Sequence, residues 1–569
     1  MAMTARISGV GGALATNVNA YLSSIEIPDG ADPHQYEFQI HDAVVDALRA
    51  YGYFSPEIDI SYSQHNHVRV SIDKGKRTYI KNLDIQVQGQ ARQDDAVLQT
   101  VKKSPLAQDR DKPLVQEEYT TLKSQLDTLA LQHGYFDAHY LTNRIEIRPW
   151  EQRADIFLIW DSGPRYRFGD IHFKGSQIRQ SRLRAMLPFK EGDPYSSDQI
   201  AEYNSRLGDS GWFRSVTVVP QLKAASPQQN PSAQTNMAGQ ANKPKDTTAP
   251  VNVTVIPADR DQFDTGVGIS SDIGPNLQFT WTRPWMNSRG DSWKNQLFLS
   301  RPRSKLGGQY RIPLANPLHD EFDFNYGFQY INDNNTITRG IYFTPDRVWH
   351  FNNGWNQHLY VRFSKDDFNQ AHQSGNVFLI TPGISWDRTA VDNPQFPMHG
   401  NRQDFMIEGA SSSLGSDISF VRTEFTSRWI ESIGNNNRFY LRGNIAATAT
   451  NQFSKMPPQL RFFAGGDDSV RGYGYQKISP RTSDNELLGG KNMITGTAEY
   501  QRRLFGKFWG AVFYDAGNAF DSWPVHKVYR AAGIGIRWVT LIGPIRIDLA
   551  HAYDGHKGLH VSFAIGPEF

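Results

Sequence analysis

From Gln262 to the end of the chain, apolar and polar residues alternate one by one. Phe322, Phe324, Tyr326, Phe328 and Tyr330 interleave with Glu321, Asp323, Asn325, Gly327 and Gln329. Leu359, Val361 and Phe363 interleave with His358, Tyr360, Arg362 and Ser364, and Ile545, Ile547 and Leu549 with Arg546 and Asp548. A period of two sends successive side chains to opposite faces of a β-strand. A soluble β-sandwich would also alternate. Against a sandwich, the apolar face is heavily aromatic, the polar face carries charges at strand centres, and Phe569 keeps the apolar parity of Ile565. In lipid every backbone N–H and C=O must be paired, which excludes an open sheet. Residues 262–569 therefore predict a transmembrane antiparallel β-barrel. Sixteen strands would leave about 19 residues for each strand and its connection, and fourteen or eighteen divide almost as well.

The first half has a different rhythm. Tyr51-Gly52-Tyr53-Phe54, His133-Gly134-Tyr135-Phe136 and Ser210-Gly211-Trp212-Phe213 repeat a Gly-aromatic-Phe pattern at domain-sized spacing. Each follows a stripe with helical spacing: Ile40, Val44, Val45 and Leu48; then Tyr119, Leu122, Leu126 and Leu129; then Ile200, Tyr203 and Leu207. Each Gly suits the position just past a helix, where positive φ is cheap. Alternating strands precede and follow, so each module reads β-α-α-β-β. The predicted boundaries are 1–75, 76–161, 162–261 and, for the barrel, 262–569. Within the third module, residues 222–250 are rich in Pro, Gln, Asn, Ser, Thr and Ala, and read as a flexible, solvated insertion inside its last hairpin.

Composition sharpens this picture. Lys and Arg total 60 against 58 Asp and Glu, a net charge of +2 that does not suit a nucleic-acid binder. Aromatic residues number 23 before position 262 and 47 after it, concentrating where the barrel is expected. The chain has no cysteine, so neither disulfides nor thiolate metal sites are available. The first residues make a poor secretory signal. For an exported protein this implies that the signal has been removed from the sequence as given, with Met1 and Ala2 as cloning residues.

Residues 461–476, Arg-Phe-Phe-Ala-Gly-Gly-Asp-Asp-Ser-Val-Arg-Gly-Tyr-Gly-Tyr-Gln, resemble the signature loop of the Omp85 superfamily, carried here by Val470, Arg471, Gly472 and Tyr473. Phe513-Tyr514-Asp515-Ala516-Gly517 resembles that family's partner pattern on a barrel strand. The three modules are similar to its polypeptide-transport-associated (POTRA) modules. The resemblance implies three periplasmic α+β modules followed by a sixteen-stranded barrel in a Gram-negative outer membrane. It also implies that the loop folds into the lumen, where Arg471 meets Asp515, with Phe513 and Gly517 beside it. A guanidinium gripping an inward carboxylate with paired hydrogen bonds can hold a loop that otherwise loses much conformational freedom. A water-facing loop charge is the other reading of Arg471.

Within the superfamily, three modules and a compact barrel are similar to the translocation and assembly branch. This implies a TamB-like partner anchored in the inner membrane and met by module one. Clients would be unfolded outer-membrane β-barrels and autotransporters, inserted into the surrounding lipid bilayer. Closing the barrel pairs its first strand with its last. The first carries Phe263, Gly266, Val267, Gly268 and Ile269; the last carries Leu559, Val561, Phe563 and Ile565 and runs into Gly566, Pro567 and Phe569. Gly weakens a strand and Pro removes a ladder donor, so this seam is expected to be the weakest in the wall. Unpaired backbone there would template an incoming strand, as a lateral gate. A seam as firm as any other, with Gly serving curvature, is the alternative.

Two other functions remain in view: a two-partner secretion pore, which would carry two modules, and a passive porin, which would need none. No cofactor or catalytic set is expected. His65-Asn66-His67 lacks further ligand spacing for a metal, and Asp366-Asp367 and Asp467-Asp468 read as solvated turn residues.

Overall fold

Gly52, Gly134 and Gly211 adopt φ of +88°, +80° and +72° in the computed structural model, just beyond the helices Glu37–Arg49, Gln116–His133 and Ser197–Asp209. The structure describes residues 5–25, 33–62, 68–108, 111–222, 247–541, 543–555 and 558–566. His65, Asn66 and His67 lie outside the described residues, as do Pro567 and Phe569.

Each module has a three-stranded sheet with its third strand in the middle, and in modules one and two the helices pack against it. In module one Ala5–Ser8 runs parallel to Val68–Asp73, which pairs antiparallel with Glu57–Tyr62. In module two Tyr79–Gln88 runs parallel to Arg153–Asp161, itself antiparallel to His139–Arg148. Module three repeats the order with Arg167–Lys174, Thr248–Pro257 and Phe213–Pro220. The helical stripes supply the cores: Ile40, Val44 and Leu48 pack on Val70 and Ile72, and Leu122 and Leu126 on Ile156 and Leu158.

The tract 222–250 is shorter than the sequence suggests. Thr248–Pro250 belong to the central strand, and residues 223–246 lie outside the described residues. Neighbours on both sides extend that strand: Arg167 donates its amide to Thr247 O, and Gln221 to Pro250 O. Pro250 serves there as an acceptor, which needs no N–H.

The chain divides into two compact units. One holds residues 1–174, 188–205 and 217–253; the other holds 175–187, 206–216 and 254–569. The second contains the barrel, whose sixteen strands run from Gln262–Ser270 to Gly558–Ile565, each hydrogen-bonded to the next in chain order. Neighbouring strands are antiparallel throughout. The wall is inside out relative to a soluble domain. Ile341, Leu359, Leu441 and Ile534 stand exposed, whereas Asp323, Glu408, Glu499, Asp515 and Arg537 are buried. Charged residues are almost never buried without partners, so such a wall implies a polar, internally paired lumen and an apolar surround.

Asp366 departs from its reading as a turn residue. It lies within the strand Trp355–Gln370, faces inward and is 3% exposed. This strand and its partner Gln373–Val391 run well beyond the roughly 9–11 residues a bilayer requires. Outside that zone, nothing forces the outward positions Asp367 and Asn369 to be apolar.

Candidate functional site

Between the strands Asn437–Ala449 and Asn492–Phe505, the chain folds back into the lumen and brings Arg471 to the wall. Three strands supply the receiving carboxylates. Arg471 donates Nε to Asp515 Oδ2 at 2.8 Å and Nη2 to Oδ1 at 3.0 Å, while its own backbone amide donates to Oδ2 at 3.0 Å. Nη1 reaches Glu499 Oε2 at 2.6 Å and Asp548 Oδ2 at 3.3 Å. The guanidinium lies 3.5 Å from the centre of the Phe513 ring. One planar cation thus spends its donors on three anions and its face on an aromatic ring, a fit an ammonium could not reproduce.

Arg537 closes the network. It donates to Asp548 Oδ1 at 2.6 Å and to Glu499 Oε1 at 2.9 Å. Gln501 donates to the same Glu499 oxygen at 2.7 Å and accepts from Arg438 at 2.7 Å. Two guanidiniums face three carboxylates, so removing either cation leaves buried negative charge uncompensated, the costly side of a buried ion pair.

The other loop positions are seated by shape. Val470 is fully buried among Ala464, Ile478 and Ala531. Gly472 has φ +92°, and a Cβ there would meet Ala531 Cβ at 3.2 Å. Tyr473 Oη donates to Arg530 O and Asp554 O at 3.0 and 2.9 Å. A Cβ on Gly517 would stand 2.7 Å from Ile494 O, on the adjacent strand. The structure therefore gathers Val470, Arg471, Gly472, Tyr473, Phe513, Asp515 and Gly517 in one region. Sequence reasoning missed Glu499, Arg537 and Asp548. Their inward parity was readable, but only strand register shows that they converge.

At the seam, Phe263, Val267, Ile269, Leu559, Val561 and Ile565 are exposed, Phe263 between Phe279 and Trp281 on the outer face. Gly266 and Gly268 lie mid-strand, and Gly566 follows the last strand at φ +130°. No ladder joins the first and last strands among the described residues. Ser271, just past the first strand, makes the connection: its amide donates to Phe563 O at 3.0 Å, and Phe563 N donates to Ser271 Oγ at 3.1 Å.

Three β-α-α-β-β modules ahead of a sixteen-stranded, nearly closed barrel that holds its own loop define an outer-membrane barrel protein with POTRA-type modules. A model of the Omp85 superfamily domain matches residues 261–569. A model described as POTRA domain TamA domain 1 matches residues 4–74, and a POTRA model described as surface antigen variable number repeat matches 166–256. The chain belongs to the Omp85 superfamily.

Outer membrane protein assembly factor BamA of Nitratidesulfovibrio vulgaris is 22% identical over 481 residues, covering 78% of this chain and 57% of its own length. BamA of Neisseria meningitidis serogroup B is 20% identical over 491 residues, covering 74% and 59%. The chain thus spans little more than half the length of these curated relatives. The crystal structure of BamA from Haemophilus ducreyi lacking POTRA domains 1–3 superposes with a TM-score of 0.70 at 15% identity, covering 86% of this chain and 99% of that one.

Proposed function

We propose that this protein is an outer-membrane insertase that admits client β-strands through the seam between its first and last barrel strands, with its modules in the periplasm. The observation that carries this reading is the seam itself. Elsewhere neighbouring strands share a ladder, whereas here the described connection is the Ser271–Phe563 pair. Among the described residues the outer edge of Phe263–Ile269 carries no ladder to the last strand, and such an edge offers a template for an incoming strand. The driving force is the client's own burial of apolar surface in lipid. Three modules favour this over a two-partner secretion pore or a porin.

Within the superfamily we assign the chain to the TamA type. The match of residues 4–74 to the first TamA module supports this, and on this reading module one docks a TamB-like, inner-membrane-anchored partner. Autotransporter and other β-barrel chains are the clients. The test is a disulfide across the seam. Counting antiparallel from Ser271 and Phe563 sets Ser270 beside Ala564, and Ser270→Cys with Ala564→Cys can be oxidised in a chain otherwise free of cysteine. Proteoliposomes carrying the oxidised protein should fail to assemble an autotransporter β-domain and recover on reduction. Assembly at the unlocked rate would overturn the reading.

A further inference from the structure

The loop that carries Arg471 also reaches the seam. Asp467, four residues earlier, donates its amide to Asp272 Oδ2 at 2.9 Å and accepts from Ser271 Oγ at 2.8 Å. Ser271 is the residue that bridges to Phe563 of the last strand. Gly466, at φ +107°, permits the approach: a Cβ there would stand 2.8 Å from Asp272 Oδ2 and 3.1 Å from the Tyr475 ring. One face of the loop is therefore locked on the lumen wall, while the other grips the top of the first hairpin.

We infer that Ser271, Asp272 and Asp467 form a proton-dependent clasp through which the inward-folded loop holds the top of the seam shut. The charges around the clasp are unbalanced. From the loop come Asp467 and Asp468, from the first hairpin Asp272, and from the strand Gly543–Ala552 Arg546, whose Nη2 stands 3.9 Å from Asp468. Arg442 is shared with Asp468 at 3.8 Å on the far side, and Ser562 of the last strand hydrogen-bonds Asp467. Arg303 is engaged with the Tyr475 hydroxyl at 2.9 Å. Asp272 thus feels the negative charge of Asp467 and Asp468, offset in part by Arg546, which acts on Asp467 as well. Burial first, then the charge of Asp467, pushes the Asp272 carboxyl up to about 7. Burial likewise raises Asp467. A proton on Asp272 removes its repulsion with Asp467.

The sign follows from linkage. An open seam returns Asp272 to water and to an ordinary carboxylate value of about 4. The closed state then binds the proton more tightly. Closure is strongest below about pH 4, weakens as pH rises toward 7, and is constant above that.

This inference rests on the seam reading for its consequence, but it is tested without a client. Nitroxides on Ile269→Cys and Ile565→Cys of the full chain in liposomes report the width of the seam by pulsed electron resonance. The ratio of narrow to wide distances should fall by up to about tenfold per pH unit between roughly pH 4 and 7, the limit for one linked proton. The slope should shrink with Asp272→Asn and vanish with Asp272→Asn/Asp467→Asn. Ser271→Ala should widen the distribution at every pH. An unchanged slope in the double variant, a pH-independent wild-type distribution, or a narrow seam in Ser271→Ala would each overturn the clasp. A clasp that behaves as expected while the disulfide-locked protein still assembles clients would leave this inference standing and remove only the insertase reading.

Discussion

Trp212 donates its indole N–H to the carbonyl of Gly290 at 3.1 Å, and the ring lies so close that a Cβ on Gly290 would come within 2.4 Å of it. Gly290 sits at φ +86° in the turn before the strand Ser292–Ser300. The Trp212 carbonyl also accepts from Ala258 N and Gln177 Nε2. Other positions of the same Gly-aromatic-Phe pattern occupy comparable joints in the first two modules. A Cβ on Gly52 would meet Leu114 O at 2.8 Å, and Phe136 packs edge-on against Tyr166 and Tyr195. The repeated Gly-aromatic-Phe pattern therefore ends a helix and also packs against a segment further along the chain.

Gly290→Ala should expel the Trp212 ring. Left-handed backbone costs about 1–2 kcal/mol for a residue with a Cβ, and overpacking costs a further ~1–3 kcal/mol. Hydrogen exchange of the Ala258 amide, which is bonded to Trp212 O, should accelerate at least tenfold. Trp212→Phe, which keeps a smaller aromatic ring and loses the hydrogen bond, should cost about 1 kcal/mol for that bond and less in packing than expulsion of the whole ring. Equal effects from both substitutions would mean that the indole N–H, rather than the packing, holds the joint.

Arg471→Ala should release the loop. Three buried carboxylates would then face Arg537 alone, and removing one partner of a buried pair costs about 3–5 kcal/mol. Chymotrypsin cleavage after Tyr473 and Tyr475 should rise by about a hundredfold or more at about 1.4 kcal/mol per factor of ten. Arg471→Lys should lie between, because an ammonium cannot span Asp515, Glu499 and Asp548 at once. Wild-type protease resistance in Arg471→Ala would show that the loop is held by Val470 and Tyr473 instead.

What could be read from sequence follows from what is local. Helical stripes, the glycines beyond them and strand alternation are set by neighbours in the chain, and that pattern alone assigns residues such as Leu122, Gly134 and Leu359. The convergence of Glu499, Arg537 and Asp548 on Arg471 depends on the register of strands far apart in sequence, which alternation leaves open. Ser271 carries no signal at all: it is one serine in a turn, and its role arises only because the last strand ends beside it. Asp366 misleads for the opposite reason. An acidic pair suggests a solvated turn, but the strand continues past the membrane zone and turns one carboxylate inward.

Gly134→Ala tests whether a module joint is set by backbone or by side chain. The residue caps its helix at φ +80°, and the new methyl would stand 2.7 Å from Tyr195 Cβ. A penalty of about 1–2 kcal/mol for the backbone alone is expected, and exchange should quicken at the Tyr166 amide, which donates to Gly134 O. Protection unchanged at Tyr166 would mean that the Phe136 ring contacts suffice to hold the joint.

Module two should lose stability in acid through Asp94. Its carboxylate caps the helix Asp95–Lys103 by accepting Ala96 N at 3.0 Å, while Oδ2 meets His133 Nδ1 at 2.6 Å and accepts from Tyr135 Oη at 3.0 Å. Burial pushes this carboxyl upward, but the hydrogen bonds from His133 and Tyr135, the charge of His133 and the Ala96 amide outweigh it and hold Asp94 below the usual range. Tyr135 is itself pushed up to about 12, by burial and then by Asp94, and so remains a donor throughout. A depressed carboxyl stabilises the fold fully above its unfolded value of about 4, and this contribution is lost as pH falls through the folded value. Protection factors for amides in 95–103 and 116–133 should therefore be level above about pH 5 and drop below pH 4. Asp94→Asn keeps an acceptor for Ala96 and should flatten that drop, whereas Asp94→Ala should cost about 1 kcal/mol at every pH, the value of a lost cap. An acid-induced drop of the same size in Asp94→Asn would assign the transition to another carboxylate.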